Sequence, residues 1–377
     1  MPESEAYAEP AIVYPRGDLS GRLGRISAAL LPLSWLYAAG SGAVRRVQQL
    51  DAKRVAGLPW VISVGNIEVG GSGKTPFAIR LLEHIQERNG RAVYVSRGYG
   101  SRAARGEGVT VVVPKGSVPS PLPGVRLVRR NDPGLADEIG DEGAVVARRA
   151  PGVPLLLGSN KKQSLIIAAR MFAPTHAVLD DAFQSWRVYR DRDVVLVGDG
   201  SIDLRTRLLP AGCLRESIGA LARAHVVLCN HSGEHGQLDR DLLRLQRFAA
   251  TDALLAGVRK RLSFPDEPPG DPIAAVSGIG QPSGFDRALI EQGIDVRVSI
   301  RFPDHYRYRA DDLATMERIA REHGATRLVT TEKDAVKINA FGEGDMPREV
   351  TLLHVELSDE AVLEKLVEPR HEATAPR

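Results

Sequence analysis

Residues 61–75 read Val-Ile-Ser-Val-Gly-Asn-Ile-Glu-Val-Gly-Gly-Ser-Gly-Lys-Thr, and no other stretch constrains the fold as much. An apolar, β-branched run from Trp60 to Val64 feeds a glycine-rich turn. A helical pattern follows, with Phe77, Ile79, Leu81, Leu82 and Ile85 as its apolar positions. Strand, glycine loop and helix in that order are the context of a phosphate-cradling P-loop. Gly70, Gly71 and Gly73 let the backbone wrap an anion with its N–H groups inward, and the helix N-terminus adds partial positive charge. The cradle is expected to comprise Glu68, Val69, Gly70, Gly71, Ser72, Gly73, Lys74 and Thr75. Lys74 can reach terminal phosphates as a point charge, and the Thr75 hydroxyl suits a magnesium ion. The usual spacing puts glycine six residues before the lysine; this chain has Glu68 there.

A chain of 377 residues suggests two domains. Its hydrophobic content of 43% and charged content of 26% are those of an ordinary globular protein. The net charge of +3 makes no electrostatic case for nucleic acid. Cys213 and Cys229 cannot form a disulfide framework and lack metal-pair spacing.

Residues 1–18 are polar, lack a signal-peptide pattern and are expected to form a loose extension. Between residues 19 and 50, Leu19, Leu23, Ile26, Leu30 and Leu33 recur at helical spacing, and Arg45 and Arg46 close an uncharged run. Pro32, Gly40 and Gly42 argue against a clean membrane span, so an amphipathic helix in a membrane interface fits better; a helix packed on the protein's own core is the plainer alternative. Beyond the P-loop helix, short apolar strands at 92–96, 109–113, 125–128, 154–157, 175–179, 194–197 and 225–229 alternate with helical patterns. That alternation predicts an α/β fold, P-loop NTPase-like, with a doubly wound, mostly parallel sheet. From residue 236 the pattern restarts as a second, smaller α/β unit, with strands at 273–276, 296–300, 327–330 and 350–353. The expected divisions are an N-terminal extension and helix (1–50), a P-loop domain (51–235) and a smaller domain (236–377).

Several further stretches, in order, carry a family resemblance: Val-Gly-Asn at 64–66, Gly-Gly-Ser-Gly-Lys-Thr-Pro at 70–76, Ser-Arg-Gly-Tyr-Gly at 96–100 and Gly-Asp-Glu at 140–142. Asp180-Asp181 with Gln184, Arg190-Asp191, Leu-Leu-Pro-Ala-Gly at 208–212 and Leu-Arg-Glu at 214–216 continue the series. Gly-Ile-Gly at 278–280, Phe-Pro-Asp-His-Tyr at 302–306 and Thr-Thr-Glu-Lys-Asp-Ala-Val-Lys at 330–337 complete it. Together, over about residues 20–357, they resemble the tetraacyldisaccharide 4'-kinases of lipid A synthesis. The resemblance implies ATP and magnesium (Mg2+) as cofactors and an acylated disaccharide lipid as acceptor. It also implies a peripheral location on the cytoplasmic face of the bacterial inner membrane; no obligate protein partner is inferred.

The resemblance places a general base at Asp141, assisted by His305 from the second domain, since a sugar hydroxyl does not ionise at neutral pH. Lys74 and the loop amides neutralise phosphate charge. Thr75, Asp180 and Asp181 are metal candidates, with Glu142 and Glu216 as further ones; adjacent strand residues face opposite ways, so one of the aspartates is expected to approach the metal directly. Gln184 is a candidate phosphate contact, and Arg97, Arg102 and Arg215 are candidate phosphate or headgroup contacts. Each lone charge could equally be a solvated or structural one. The family pattern continues Asp-Asp with glycine, an apolar residue, glutamine and histidine, whereas this chain has Ala182, Phe183, Gln184 and Ser185 followed by Trp186. Gly143 stands where proline is usual, and Lys161-Lys162 where an arginine is common.

Two other readings stay open on the residues alone. One is a P-loop GTPase or ATPase of the metal-insertion or switch type, although Glu332-Lys-Asp334 lacks the asparagine of a guanine-reading motif. The other is a degenerate, non-catalytic relative of the kinases. His231-Ser-Gly-Glu-His235 matches a zinc-protease pattern by letter, but Asn230, Ser232 and Gly233 mark a loop rather than the helix that chemistry needs. Residues 278–284 have the wrong spacing for a dinucleotide fingerprint and are expected to be a turn.

Overall fold

The computed structural model describes residues 11–13, 30–49, 54, 57–116, 120, 122–132, 134–198, 207–231, 236–342 and 344–368. Most of the expected loose start, the amphipathic pattern before residue 30, Glu234 and His235, and the chain after 368 lie outside the described residues. The chain forms two compact units. The larger comprises Leu19–Lys260 and Val355–Arg377, the smaller Met1–Asp18 and Arg261–His354.

The strands in chain order are β1 (Ala11–Val13), β2 (Trp60–Asn66), β3 (Ala92–Ser96), β4 (Val109–Val112), β5 (Val125–Val128), β6 (Leu155–Leu157) and β7 (His176–Asp180). They continue as β8 (Arg192–Val197), β9 (Val226–Asn230), β10 (Leu254–Ser263), β11 (Ile273–Ser277), β12 (Val296–Arg301), β13 (Arg327–Thr331) and β14 (Arg348–Leu357). The helices are α1 (Leu31–Gln49), α2 (Lys74–Glu87), α3 (Arg102–Arg105), α4 (Leu135–Ile139), α5 (Asp141–Arg149) and α6 (Lys161–Phe172). After them come α7 (Gln237–Gln246), α8 (Pro282–Glu291), α9 (Ala310–Glu322), α10 (Glu332–Ile338) and α11 (Ala361–Val367).

In the larger unit the strand order is β10-β9-β8-β2-β7-β3-β6-β4-β5. Every neighbouring pair is parallel except β4 with β6. Parallel strands buried on both faces read as continuous apolar runs, and β2, β3, β6 and β9 do so. The P-loop strand β2 is flanked by β7 and β8, so its carboxyl end is enclosed by theirs. Side-chain alternation sorts the core. Val93, Val95, Leu156 and Leu179 meet Leu165 and Ala168 of α6, while Val195, Val227 and Cys229 meet Leu238, Leu242 and Leu245 of α7.

The smaller unit holds a parallel sheet of order β1-β12-β11-β13-β14. Ala274 and Val276 of β11 pack with Leu313, Met316 and Ile319 of α9, whereas Ile273 and Ala275 pack with Phe285 and Leu289 of α8. The helices therefore lie on opposite faces of this sheet, whose strand order reverses at β11. The turn expected at residues 278–284 begins there and runs into α8 at Pro282.

Helix α1 runs through Gly40 and Gly42 without a break. Among the described residues no helix is long and apolar enough to cross a membrane. The helix is seated through Ser34, which is buried: its hydroxyl donates to Leu208 O (3.0 Å) and accepts from Ala211 N (3.2 Å). Leu33, Trp35, Leu36, Tyr37, Val44 and Val47 remain exposed, Trp35 at 77%.

Candidate active site

The sequence fixes the P-loop through backbone sign and close contact. Gly70 and Gly73 have φ of 134° and 83°, the region that favours glycine. Gly73 caps α2, and neither a side-chain cap nor a first-turn acid competes for the first N–H groups of that helix. Inward N–H groups require outward carbonyls, and those need donors of their own. Asn230, buried at the end of β9, gives its amide to Ser72 O and Val197 O, both at 3.0 Å. Lys260 of β10 gives its ammonium to Gly71 O at 2.8 Å. Neither role is legible in the sequence, where Asn230 counts only as a loop marker; it is instead the last residue of β9, an amide closing a buried apolar strand.

Glu68 acts as a strap. Its backbone bridges to Leu214, and its Oε1 accepts from Gly198 N at 2.7 Å. A Cβ on Gly198 would lie 2.6 Å from that oxygen, so a side chain there would displace the Glu68 carboxylate. The neighbouring Val69 N donates to Cys213 O at 2.8 Å.

Lys74, the first residue of α2, places Nζ 3.7 Å from Asp181 Oδ1. Arg215 Nη1 donates to both Asp181 oxygens, at 3.1 and 2.9 Å. Burial works against the Asp181 charge, but Lys74 and Arg215 outweigh it and hold the carboxyl below its usual range. The residue sits at φ 43°, just past the end of β7. Lys161 opens α6 and donates to Asp181 O (2.7 Å) and Ser185 Oγ (3.3 Å). Ser185, where the family pattern has histidine, thus meets a lysine where that pattern has arginine. Burial pulls Lys161 down to about 8, against the pull of Asp180 and Asp181.

Asp180 is the last residue of β7; Asp181 lies beyond the strand, so alternation does not separate the two carboxylates, and Lys74 and Lys161 act on both. Asp180 is buried, accepts from Ser96 Oγ at 3.3 Å through Oδ2, and is pushed up to about 6 by burial and then by Glu142 and Asp181, with Lys74 and Lys161 opposing. Its Oδ1 has no hydrogen-bond partner among the described residues. The same holds for the Asn66 side-chain amide, Ser72 Oγ and Asn230 Oδ1. Buried polar atoms are nearly always satisfied, so these groups beside the P-loop are able to receive polar ligand atoms.

Asp141 and Glu142 occupy the first turn of α5, where acidic side chains complement the helix dipole. The turn before them uses Gly140 at φ 86°, and a Cβ there would lie 3.0 Å from Tyr99 O. Glu216 pairs with Arg223 (2.8 Å) and accepts from Gln184 Nε2 (2.9 Å), which also donates to Asn66 O (2.9 Å). Arg223 lies between the rings of Phe183 and Trp186, 4.6 Å from each centroid. Arg97 is exposed, and Arg102 pairs with Glu138 at 2.9 Å. His305 belongs to the smaller unit, at φ 59° and 3.8 Å from Asp304. The structure thus gathers Lys74, Asp180, Asp181, Lys161 and Arg215 at one end of the large sheet.

A parallel sheet whose inner strand feeds a glycine loop and an uncapped helix, beside a lysine and two adjacent aspartates of which Asp180 is buried, defines a P-loop protein of the phosphate-handling class. The family described as tetraacyldisaccharide-1-P 4'-kinase matches residues 26–371, and the chain belongs to that family. A tetraacyldisaccharide 4'-kinase of Anaeromyxobacter dehalogenans (strain 2CP-C) is 36% identical over 348 residues, covering 88% of this chain and 87% of its own. One from Halothermothrix orenii is 35% identical over 300 residues, covering 74% of each chain. The crystal structure of LpxK from Aquifex aeolicus in complex with ATP superposes with a TM-score of 0.68 at 26% identity. It covers 91% of this chain and 98% of that one.

Proposed function

We propose that this protein transfers the γ-phosphate of ATP to the 4'-hydroxyl of a tetraacyldisaccharide 1-phosphate in lipid A biosynthesis. The observation that carries the reading is Lys74 held beside Asp181 while the adjacent Asp180 keeps a buried, unpartnered oxygen. The loop amides and Lys74 neutralise the phosphates. Asp141 accepts the proton of the attacking hydroxyl, with His305 as its partner. Arg97, Arg102 and Arg215 are assigned to phosphate or headgroup contacts, and Gln184 to the phosphate side.

The donor set suits magnesium. Mg2+ takes one or two carboxylates together with substrate phosphates and retained waters. Asp180 offers a hard oxygen beside Glu142 and Asp181, with Lys74 and Lys161 opposing their charge, and Thr75 adds a hydroxyl in the first turn of α2. Asp180 and Thr75 are the residues that would hold the ion, with Asp181, Glu142 and Glu216 in supporting positions. When bound, the ion supplies charge neutralisation on the transferring phosphoryl group. The test is phosphate transfer to the disaccharide lipid in mixed micelles; ATP hydrolysis without a phosphorylated lipid would remove the acceptor assignment.

The acceptor is acylated, and α1 offers an exposed apolar stripe that lies on a surface membrane as an interfacial helix does. The assigned location is peripheral, at the cytoplasmic face of the inner membrane. Trp35→Glu combined with Leu36→Glu is expected to weaken co-sedimentation with anionic phospholipid vesicles roughly tenfold or more, given the apolar area withdrawn. Unchanged sedimentation would show that α1 is not the membrane face.

A further inference from the structure

The Thr-Glu-Lys-Asp stretch of the smaller unit and its Gly-Ile-Gly turn have no place in the chemistry above, yet they meet at a single buried carboxylate. Asp334 is fully buried and accepts three hydrogen bonds: from Gly278 N (3.0 Å), Tyr308 OH (3.0 Å) and Thr331 Oγ1 (2.7 Å). Lys337 lies 3.5 Å away and stacks over the Tyr308 ring at 5.4 Å. Gly278 has no room for a side chain: a Cβ there would lie 2.9 Å from both Asp334 Oδ1 and the Tyr308 hydroxyl.

These bonds tie down one loop, residues 302–308. Its start is fixed by Phe302 N donating to Ser277 O at 2.7 Å, and its end by the Tyr308 hydroxyl on Asp334. Phe302, Tyr306 and Tyr308 close its base, with ring centroids 4.9 to 5.3 Å apart. At the tip is His305, in a left-handed conformation that a β-carbon tolerates only when its surroundings impose it. The loop leaves from the carboxyl end of β12, beside β11, where the strand order of the small sheet reverses, the usual place for ligand chemistry in an open α/β sheet.

We propose that Asp334 and Tyr308 are positioning residues that hold this loop, and through it His305, in the geometry needed for phosphate transfer. The inference rests on the reading of His305 as a catalytic partner. Neither residue touches substrate; each acts through the loop. A network of this kind, fully satisfied, rigidifies what it holds. The Gly278 requirement follows directly, because the turn after β11 must approach the carboxylate with its backbone.

The test is a double-mutant cycle in the full-length protein, reading kcat and KM for ATP in the micellar transfer assay. Tyr308→Phe removes one hydroxyl and leaves Asp334 two donors, so the fold is retained, which the thermal midpoint checks. Its kcat is expected to fall roughly tenfold, the scale of a lost hydrogen bond to a charged group, with KM for ATP unchanged. Asp334→Asn is expected to act in the same direction. In a His305→Ala background, Tyr308→Phe is expected to have little further effect, since both act on one step. If His305→Ala is impaired but Tyr308→Phe has no effect, or multiplies the loss in full, the positioning role is wrong while the His305 assignment stands. If His305→Ala alone leaves kcat unchanged, the assignment of His305 falls and this inference with it.

Discussion

The Asp141→Asn variant is expected to transfer phosphate roughly 10²–10⁴-fold more slowly than wild type, the range of general-base contributions, with nucleotide affinity within about twofold. Asparagine keeps the size of the side chain but cannot accept the hydroxyl proton. Asp141 stands at the first position of α5, behind a Gly140 turn packed against Tyr99 O, so its place is set by backbone and survives the substitution. Lys74 and the loop amides are untouched, and nucleotide binding is therefore retained. Single-turnover kinetics with a separate nucleotide titration provide the check. A kcat within a few-fold of wild type would move the base elsewhere. Transfer in wild type that is lost in this variant would also exclude a non-catalytic relative.

Asp180→Asn is expected to have two opposite effects: loss of transfer and a gain in stability of the metal-free protein. The buried carboxyl ionises only near 6 rather than at its ordinary 3.8. A raised folded-state value means that the folded form holds the proton more tightly than the unfolded chain. The stabilisation from that proton is complete below about pH 4 and is lost as pH rises through 6. At pH 7.5 the metal-free protein therefore carries an ionised, poorly satisfied carboxylate, a penalty on the order of 2 kcal/mol. The amide cannot ionise, so the variant is expected to melt several degrees higher at pH 7.5 and to lose the decline between pH 4 and 6. It is also expected to lose most of the stabilisation that magnesium and ATP give together. Differential scanning measurements at several pH values decide this. An unchanged or lower midpoint at pH 7.5 would mean that the Asp180 charge is already compensated within the protein.

The parts legible in the sequence are those encoded locally. The P-loop is a strand, a glycine turn and a helix start within fifteen residues, and the structure has each where the pattern puts it. The parallel sheet was readable because doubly buried strands are unbroken apolar runs. β10 is not legible because its apolar start, Leu254-Leu-Ala-Gly-Val, gives way to Arg259-Lys260-Arg261, which reads as solvated charge. The Asp180–Asp181 pair is legible as two carboxylates at a strand end, but the identity of each partner is not, and alternation does not apply to Asp181, which lies past β7 at φ 43°. Arg215 lies 34 positions from Asp181, and only the fold brings them together. Glu68 departs from the usual loop spacing, and the donor that its carboxylate meets, Gly198 N, is 130 positions away. Asn230 and Lys260 serve carbonyl groups, and no sequence pattern records which carbonyl a folded loop turns outward.

The most direct measurement is transfer of labelled γ-phosphate from ATP to a tetraacyldisaccharide 1-phosphate in mixed micelles with magnesium, following lipid product and ADP together. The account predicts one labelled lipid per ADP formed, a new phosphomonoester at the 4' position, and loss of both products in Lys74→Ala. ADP formed without labelled lipid, or a clear preference for GTP, would contradict it.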